Sequence, residues 1–263
     1  MKKIILLILL IGSNYSISFA QANYKNTDLL KAGTLTVVLS GRDTGFDNTL
    51  KTVLNEDWKF SKLKYIHSNQ FDQNKTLDNE FYLLFYDVIG QGYIDHRISI
   101  KQGGKKGLDF MTTLCFFIFE EDHYSESLYA IPFVIKKFQS DLNYLSANHT
   151  INSDKYYDIQ LKSISDLSER TLILKQKNIS GNSTFEKIQS AYPYKLKLVN
   201  DNEYADAIMN GNKNTCFVYG DDLTLKIYDA GNYNILYYKG GYAGSHTKLD
   251  EKNIKLIADA VKK

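Results

Sequence analysis

DLLKAGTLTVVLSGRDTGFDNTLKTVLNEDWKFSKLKYIHSNQF, residues 28–71, and DLSERTLILKQKNISGNSTFEKIQSAYPYKLKLVNDNEY, residues 166–204, carry the same features in the same order. Such self-similarity marks an internal duplication and sets the architecture before any single element is assigned. In each copy a β-branched and leucine run, Thr34 to Leu39 and Thr171 to Leu174, leads through a polar loop into a helix start. Thr44 with Asp47, and Ser183 with Glu186, have capping-box spacing, in which the first side chain caps a backbone N–H and the second reaches back. Phe46, Leu50, Val53 and Leu54 recur at helical spacing, as do Phe185 and Ile188 in the shorter copy, so each helix has one face to bury. Lysine-alternating strands follow, Lys62 to Ile66 and Lys195 to Val199. Ser68-Asn69-Gln70-Phe71 and Asp201-Asn202-Glu203-Tyr204 then open a second helix in each copy.

Beyond the quoted stretches the correspondence continues. Third strands, Phe81 to Tyr86 and Cys216 to Tyr219, run toward acids, Asp87 and Asp221-Asp222. Hairpins are expected from Ile98 to Gln102 through Gly103-Gly104-Lys105-Lys106 into Leu108 to Phe119, and from Leu223 to Tyr228 through Asp229 to Asn232 into Tyr233 to Tyr238. A turn at Gly103 to Lys106 pairs Gln102 with Gly107 and sets His96 opposite Thr113. Each unit closes with a helix, around Ser125 to Leu145 and Asp250 to Val261; Pro132 kinks the first or delays its start. The fold class is therefore α/β: two tandem, internally duplicated three-layer domains, each β-α-β-α-β followed by a β-hairpin and a helix, with a mixed sheet. The first domain spans 24–146 and the second 164–263. Residues 147–163, polar and without a clear period, read as a linker or a short ordered connection, unless their two tyrosines pack into the domain interface.

The N-terminus reads as a removable signal peptide, residues 1–20. Lys2 and Lys3 form a positive n-region, Ile4 to Ile11 an apolar core, and Ser18-Phe19-Ala20 a cleavage site, with Ala20-Gln21-Ala22 as a second. The apolar run is short for a membrane anchor, which needs roughly 18 residues. The first cysteine is Cys115, so lipid attachment at the cleavage point is not expected either. Export to the periplasm or the outside follows, with no membrane anchor after cleavage. Of 263 residues, removing twenty leaves 243, enough for two cores. Lys2 and Lys3 account for the excess of 32 basic over 30 acidic residues, so the remainder is formally neutral and no nucleic acid is expected as partner. Cys115 and Cys216 both sit in apolar runs and read as buried free thiols rather than a disulfide or nucleophiles.

On its strand, cap and helix blocks the chain resembles uncharacterised exported bacterial proteins with tandem α/β domains, a resemblance that implies a fold and not an activity. The second half also resembles one lobe of the type 2 solute-binding proteins. The matching residues are strand Thr171 to Leu174, the helix start at Ser183-Thr184, and a helix ending at Gly211 before a strand that runs into Asp221-Asp222. That resemblance implies that the helix start and the acids hold a ligand's carboxylate and amine. The first unit does not carry that family's Thr-x-x-Arg or Phe-Ser-x-Pro-Tyr segments.

Candidate chemistry is sparse. The loop Ser40-Gly41-Arg42-Asp43-Thr44-Gly45 joins a strand to a helix, where free N–H groups and the helix dipole favour an anion, though any α/β domain needs a capped turn there. Ser40, Gly41, Arg42, Thr44, Ser183, Thr184, Asp221 and Asp222 are the candidate ligand-binding residues. Asp95-His96 and Glu120-Glu121-Asp122-His123 hold metal-ligand and acid/base residue types, but a hairpin with His96 opposite Thr113 keeps them apart. No catalytic, metal or cofactor motif is complete. The expected function is an exported, non-catalytic binding or interaction protein for an unknown small molecule or envelope protein, with the two units facing across an interface. The alternatives are an envelope hydrolase or transferase using strand-end acids such as Asp87, Asp221 and Asp222, and a structural partner in an envelope assembly.

Overall fold

A computed structural model describes residues 24–41, 43–90, 93–105, 107–108, 111–119, 128–220, 224–240 and 248–262. The signal segment and its cleavage sites, Arg42, the acidic run from Glu120, and Asp221-Asp222 lie outside the described residues. The molecule is α/β with two mixed five-stranded sheets. The first unit contains α1 (Tyr24–Ala32), β1 (Thr34–Leu39), α2 (Thr44–Asp57), β2 (Lys62–His67), β3 (Phe81–Gly90), β4 (Tyr93–Gln102), β5 (Thr112–Ile118) and α3 (Ile131–Ala147). After α4 (Ser153–Leu161) the second unit contains β6 (Thr171–Leu174), α5 (Phe185–Ala191), β7 (Leu196–Leu198), α6 (Asp201–Met209), β8 (Thr215–Gly220), β9 (Thr224–Asp229), β10 (Ile235–Gly240) and α7 (Glu251–Val261).

The duplication is visible in the pairing. Strand orders are β2-β1-β3-β4-β5 and β10-β9-β8-β6-β7, the same order read from opposite edges. In each sheet the first three strands of the unit are parallel and the last three form an antiparallel meander. Leu35 pairs with Leu63 and Phe81, and Leu172 with Leu196 and Cys216, which fixes the correspondence of the two copies residue by residue.

The copies differ in two places. In the first, the second crossover holds a 3-10 turn, Ser68–Gln70, where a helix is expected. Residues 71–80 offer too few apolar side chains to bury a helix face, and their polar groups turn to the 103–108 loop instead. Gly103 N donates to Glu80 O, Gly104 N to Thr76 Oγ1 and Leu108 N to Gln73 Oε1. Gly104 has φ +91° and lies so close to Asp78 that no side chain fits there. On this outer face the buried cluster of Val38, Tyr82, Leu84 and Met111 is covered by Phe71 and Leu108.

The second difference is the hairpin. β3 and β4 pair over ten positions, from Phe81 with Gln102 to Gly90 with Tyr93, whereas among the described residues β8 and β9 pair over five. The expected turn at Gly103 to Lys106 is part of a longer connection, and Gln102 pairs with Thr112 rather than Gly107. His96 is thereby level with Phe119, whose N–H donates to His96 O, and not with Thr113. The separation inferred for His96 and the acidic run rested on the other register and loses that basis; the acidic run itself lies outside the described residues.

The units share one core. α3 starts late, with Pro132 in its first turn, and lies between the sheets. Its Phe133 ring meets Phe117 of the first unit and Phe217, Tyr228 and Tyr233 of the second, at centroid distances of 5.0 to 6.1 Å. The stretch read as a linker forms α4, capped by Asn152. Its Tyr156 stacks on Tyr144 at 4.2 Å, and Gln160 accepts a hydrogen bond from Ile235 N on the edge strand β10.

Candidate functional site

At the first strand-to-helix loop the cap is Asp43, which accepts from Phe46 N, and not Thr44, which is the exposed first residue of α2. Asp47, buried on the first turn, turns back into the loop: its carboxylate accepts from Ser40 N at 3.0 Å, Ser40 Oγ at 3.2 Å and Gly41 N at 2.8 Å. An external anion at Ser40 and Gly41 would have to displace this internal one. In the second unit Thr184 is the cap of α5, and Ser183 Oγ donates to Glu251 at 2.9 Å, which pins α5 to α7. Of the hydroxyl groups selected from the sequence, those of Ser40, Ser183 and Thr184 thus hold the two helix starts in place.

Other ionisable groups are similarly engaged. Arg170 bonds the fully buried Asp229, which also takes Gly231 N at 2.8 Å to shape the β9–β10 turn. Lys137 donates to both oxygens of Asp141 at 3.1 and 2.9 Å, and burial pushes the Asp141 carboxyl upward against the pull of that lysine. Burial raises the Cys115 thiol well above its usual range and the Cys216 thiol to about 12, which makes both inert as nucleophiles. Lys175 is enclosed at the end of β6 by the rings of Tyr129 and Tyr204, with centroids 5.5 and 4.6 Å from Nζ. Among the described residues no group of three or more His, Cys, Asp or Glu side chains could hold a metal ion.

The extended hairpin carries a different arrangement. Asp87 on β3 pairs across the sheet with His96 on β4, and His96 Nδ1 lies 2.9 Å from Asp87 Oδ1. A carboxylate only accepts, so the imidazole donates from Nδ1. Their side chains are 27% and 14% exposed, half-sunk rather than waving in solvent. β1 pairs with β3 only as far as Leu83, so the outer half of the hairpin runs past its parallel neighbour. Strand alternation puts Asp87 on the same face as Phe85, which tilts against Phe46 of α2 at 4.4 Å and Phe119 at 5.6 Å. The pair therefore stands at the carboxyl ends of the parallel strands, where strand order reverses and open α/β sheets bind ligands. The sequence reading named His96 by residue type but set it opposite Thr113, because no residue type announces the register that brings it to Asp87. Asp87 was legible only as a strand-end acid.

Comparison with protein-family models, with curated proteins and with solved structures returned no match. No described helix is long and apolar enough to cross a membrane.

Proposed function

We propose that this chain is an exported, non-catalytic binding protein whose ligand seats at the overhanging half of the first unit's hairpin, against Asp87, His96 and Phe85. The observation that carries this reading is the half-buried Asp87–His96 pair on strands that the second unit manages without. A feature present in one of two duplicated copies is not demanded by the shared fold. The aromatic core between the units argues against a ligand cleft there, since α3 and its Phe133 already occupy that space. Export rests on the N-terminal sequence alone. A thermal-shift screen of Gln21 to Lys263 against amines, amino acids, sugars and nucleotides tests the binding reading. A ligand that binds the native state raises the melting point by mass action, and silence across the panel would move the assignment to a protein partner.

The same pair favours one second reading, an envelope enzyme in which Asp87 orients His96 as a general base. Turnover abolished by His96→Gln at unchanged stability would support it; ligand binding without turnover would exclude it for that ligand.

A further inference from the structure

We propose that residues 71–80, pinned by Gly103, Gly104 and Leu108, are a cap that keeps copies of this chain from stacking on one another. With Leu35 matched to Leu172, Tyr82 corresponds to Phe217 and Leu84 to Tyr219; Lys101, the partner of Tyr82, corresponds to Tyr228, the partner of Phe217. In the second unit these residues form the face on which the first unit docks. Phe217 and Tyr228 lie 5.0 and 5.2 Å from Phe133 of α3, and Tyr219 lies 4.9 Å from Phe117. The first unit carries the same face on its outer side, and there residues 71–80 cover it. At this point of the chain the second unit has α6, whose Tyr204 and Ile208 pack into the shared core. In the first, Phe71 stands 5.0 Å from Tyr82 and, with Leu108, closes the cluster of Val38, Tyr82, Leu84 and Met111. Lys101, buried where the second unit has an aromatic ring, donates to Leu108 O at 3.1 Å, which suits a face that meets a loop and not a phenylalanine. Above this plug Asp72, Gln73, Asn74, Lys75, Asp78 and Asn79 are exposed, the polar outer surface that the end of a stack of repeats requires. The contact between the two units is heterologous, so an uncovered copy of the face would accept the α5 and α7 side of a second molecule and build an open chain.

Sedimentation velocity of the full mature chain over a range of concentrations tests this. Two variants open the cap without touching the sheet. Phe71→Ser with Gln73→Ala and Thr76→Ala removes the plug and the bonds to Leu108 N and Gly104 N. Gly104→Val puts a side chain where none fits, at φ +91° against Asp78. The wild type is expected to stay monomeric, and each variant that keeps its far-UV circular dichroism to rise with concentration to about twofold the monomer mass or more, as an open-ended contact requires. Leu256→Asp alters the exposed apolar side chain of α7 at the opposite end, and in either opened variant it should abolish the association. Opened variants that are folded and stay monomeric, a wild type that associates, or association that survives Leu256→Asp would each overturn the proposal. Should the triple variant unfold, Gly104→Val still decides; loss of the fold in both would overturn it as well, since residues 71–80 would then be part of the core and not a cap.

Discussion

Asp47 and Asp141 show how little a carboxylate's identity says about its role until its partners are known. Asp47 reads as one half of a capping box yet bonds backward to Ser40 and Gly41, three contacts from one buried side chain. Asp47→Ala should destabilise the protein by about 1–3 kcal/mol, read as a lower urea midpoint at unchanged slope, because it orphans partly buried donors to a charged acceptor. Asp141 is held with Lys137 on α3 by two hydrogen bonds. Removing the carboxylate alone leaves a buried ammonium, so Asp141→Ala should cost about 3–5 kcal/mol, and the double change Lys137→Met with Asp141→Leu much less. The carboxyl is raised in the folded state by burial, so the native protein holds that proton more tightly than the unfolded chain. Its contribution to stability is therefore full below the ordinary aspartate range and lost as pH rises through the raised value. Asp141→Asn should flatten that part of the stability–pH profile, measured by denaturant melts between pH 3 and 7.

At the level of elements, the two copies act as controls for one another. The sheet order, the parallel core of three strands and the crossover helices α2 and α5 recur, and so are requirements of the fold. The long β3–β4 hairpin does not recur. Replacing residues 87–96 by an Asn-Gly turn, which suits a two-residue hairpin connection, should leave the fold intact and shift the melting temperature by only a few degrees. Scanning calorimetry checks this. A loss of cooperative folding would mean that the overhang is structural after all. α4 shows the opposite relation: polar and aperiodic in sequence, it is ordered because Tyr156 and Gln160 find partners on α3 and β10.

Over the whole molecule the two units meet head to tail rather than as mirror partners. The first presents the face bearing α2 and α3, and the second presents the opposite face of its sheet, with Ile173, Phe217, Tyr219 and Tyr228. The face of the second unit that corresponds to the first unit's contact surface is closed by its own α5 and α7 over Leu172, Leu174 and Val218. Such an interface could repeat without closing, but α7 turns Lys252, Lys255 and Lys262 outward and ends the stack with charge. Phe133 is a residue at which both units converge, with Phe117 beside it. Phe133→Ala should cost about 3–5 kcal/mol and unfold both sheets in one transition, seen as coincident fluorescence and far-UV signals. Two separated transitions would show that the units are energetically independent.

The amino-acid sequence alone determined the duplication, the α/β class, most strand and helix positions and the burial of both cysteines, because these follow from local periodicity and composition. Thr34 to Leu39 can hardly avoid being a strand, and Phe46, Leu50, Val53 and Leu54 can hardly avoid forming one helical stripe. Tertiary structure alone decided the register that brings His96 to Asp87, the retreat of residues 71–80 from a helix, the backward turn of Asp47, and the filling of the interface by α3. Each depends on which distant backbone or ring lies opposite, and strand register in particular is set by pairing energy summed over a whole hairpin rather than by any one residue.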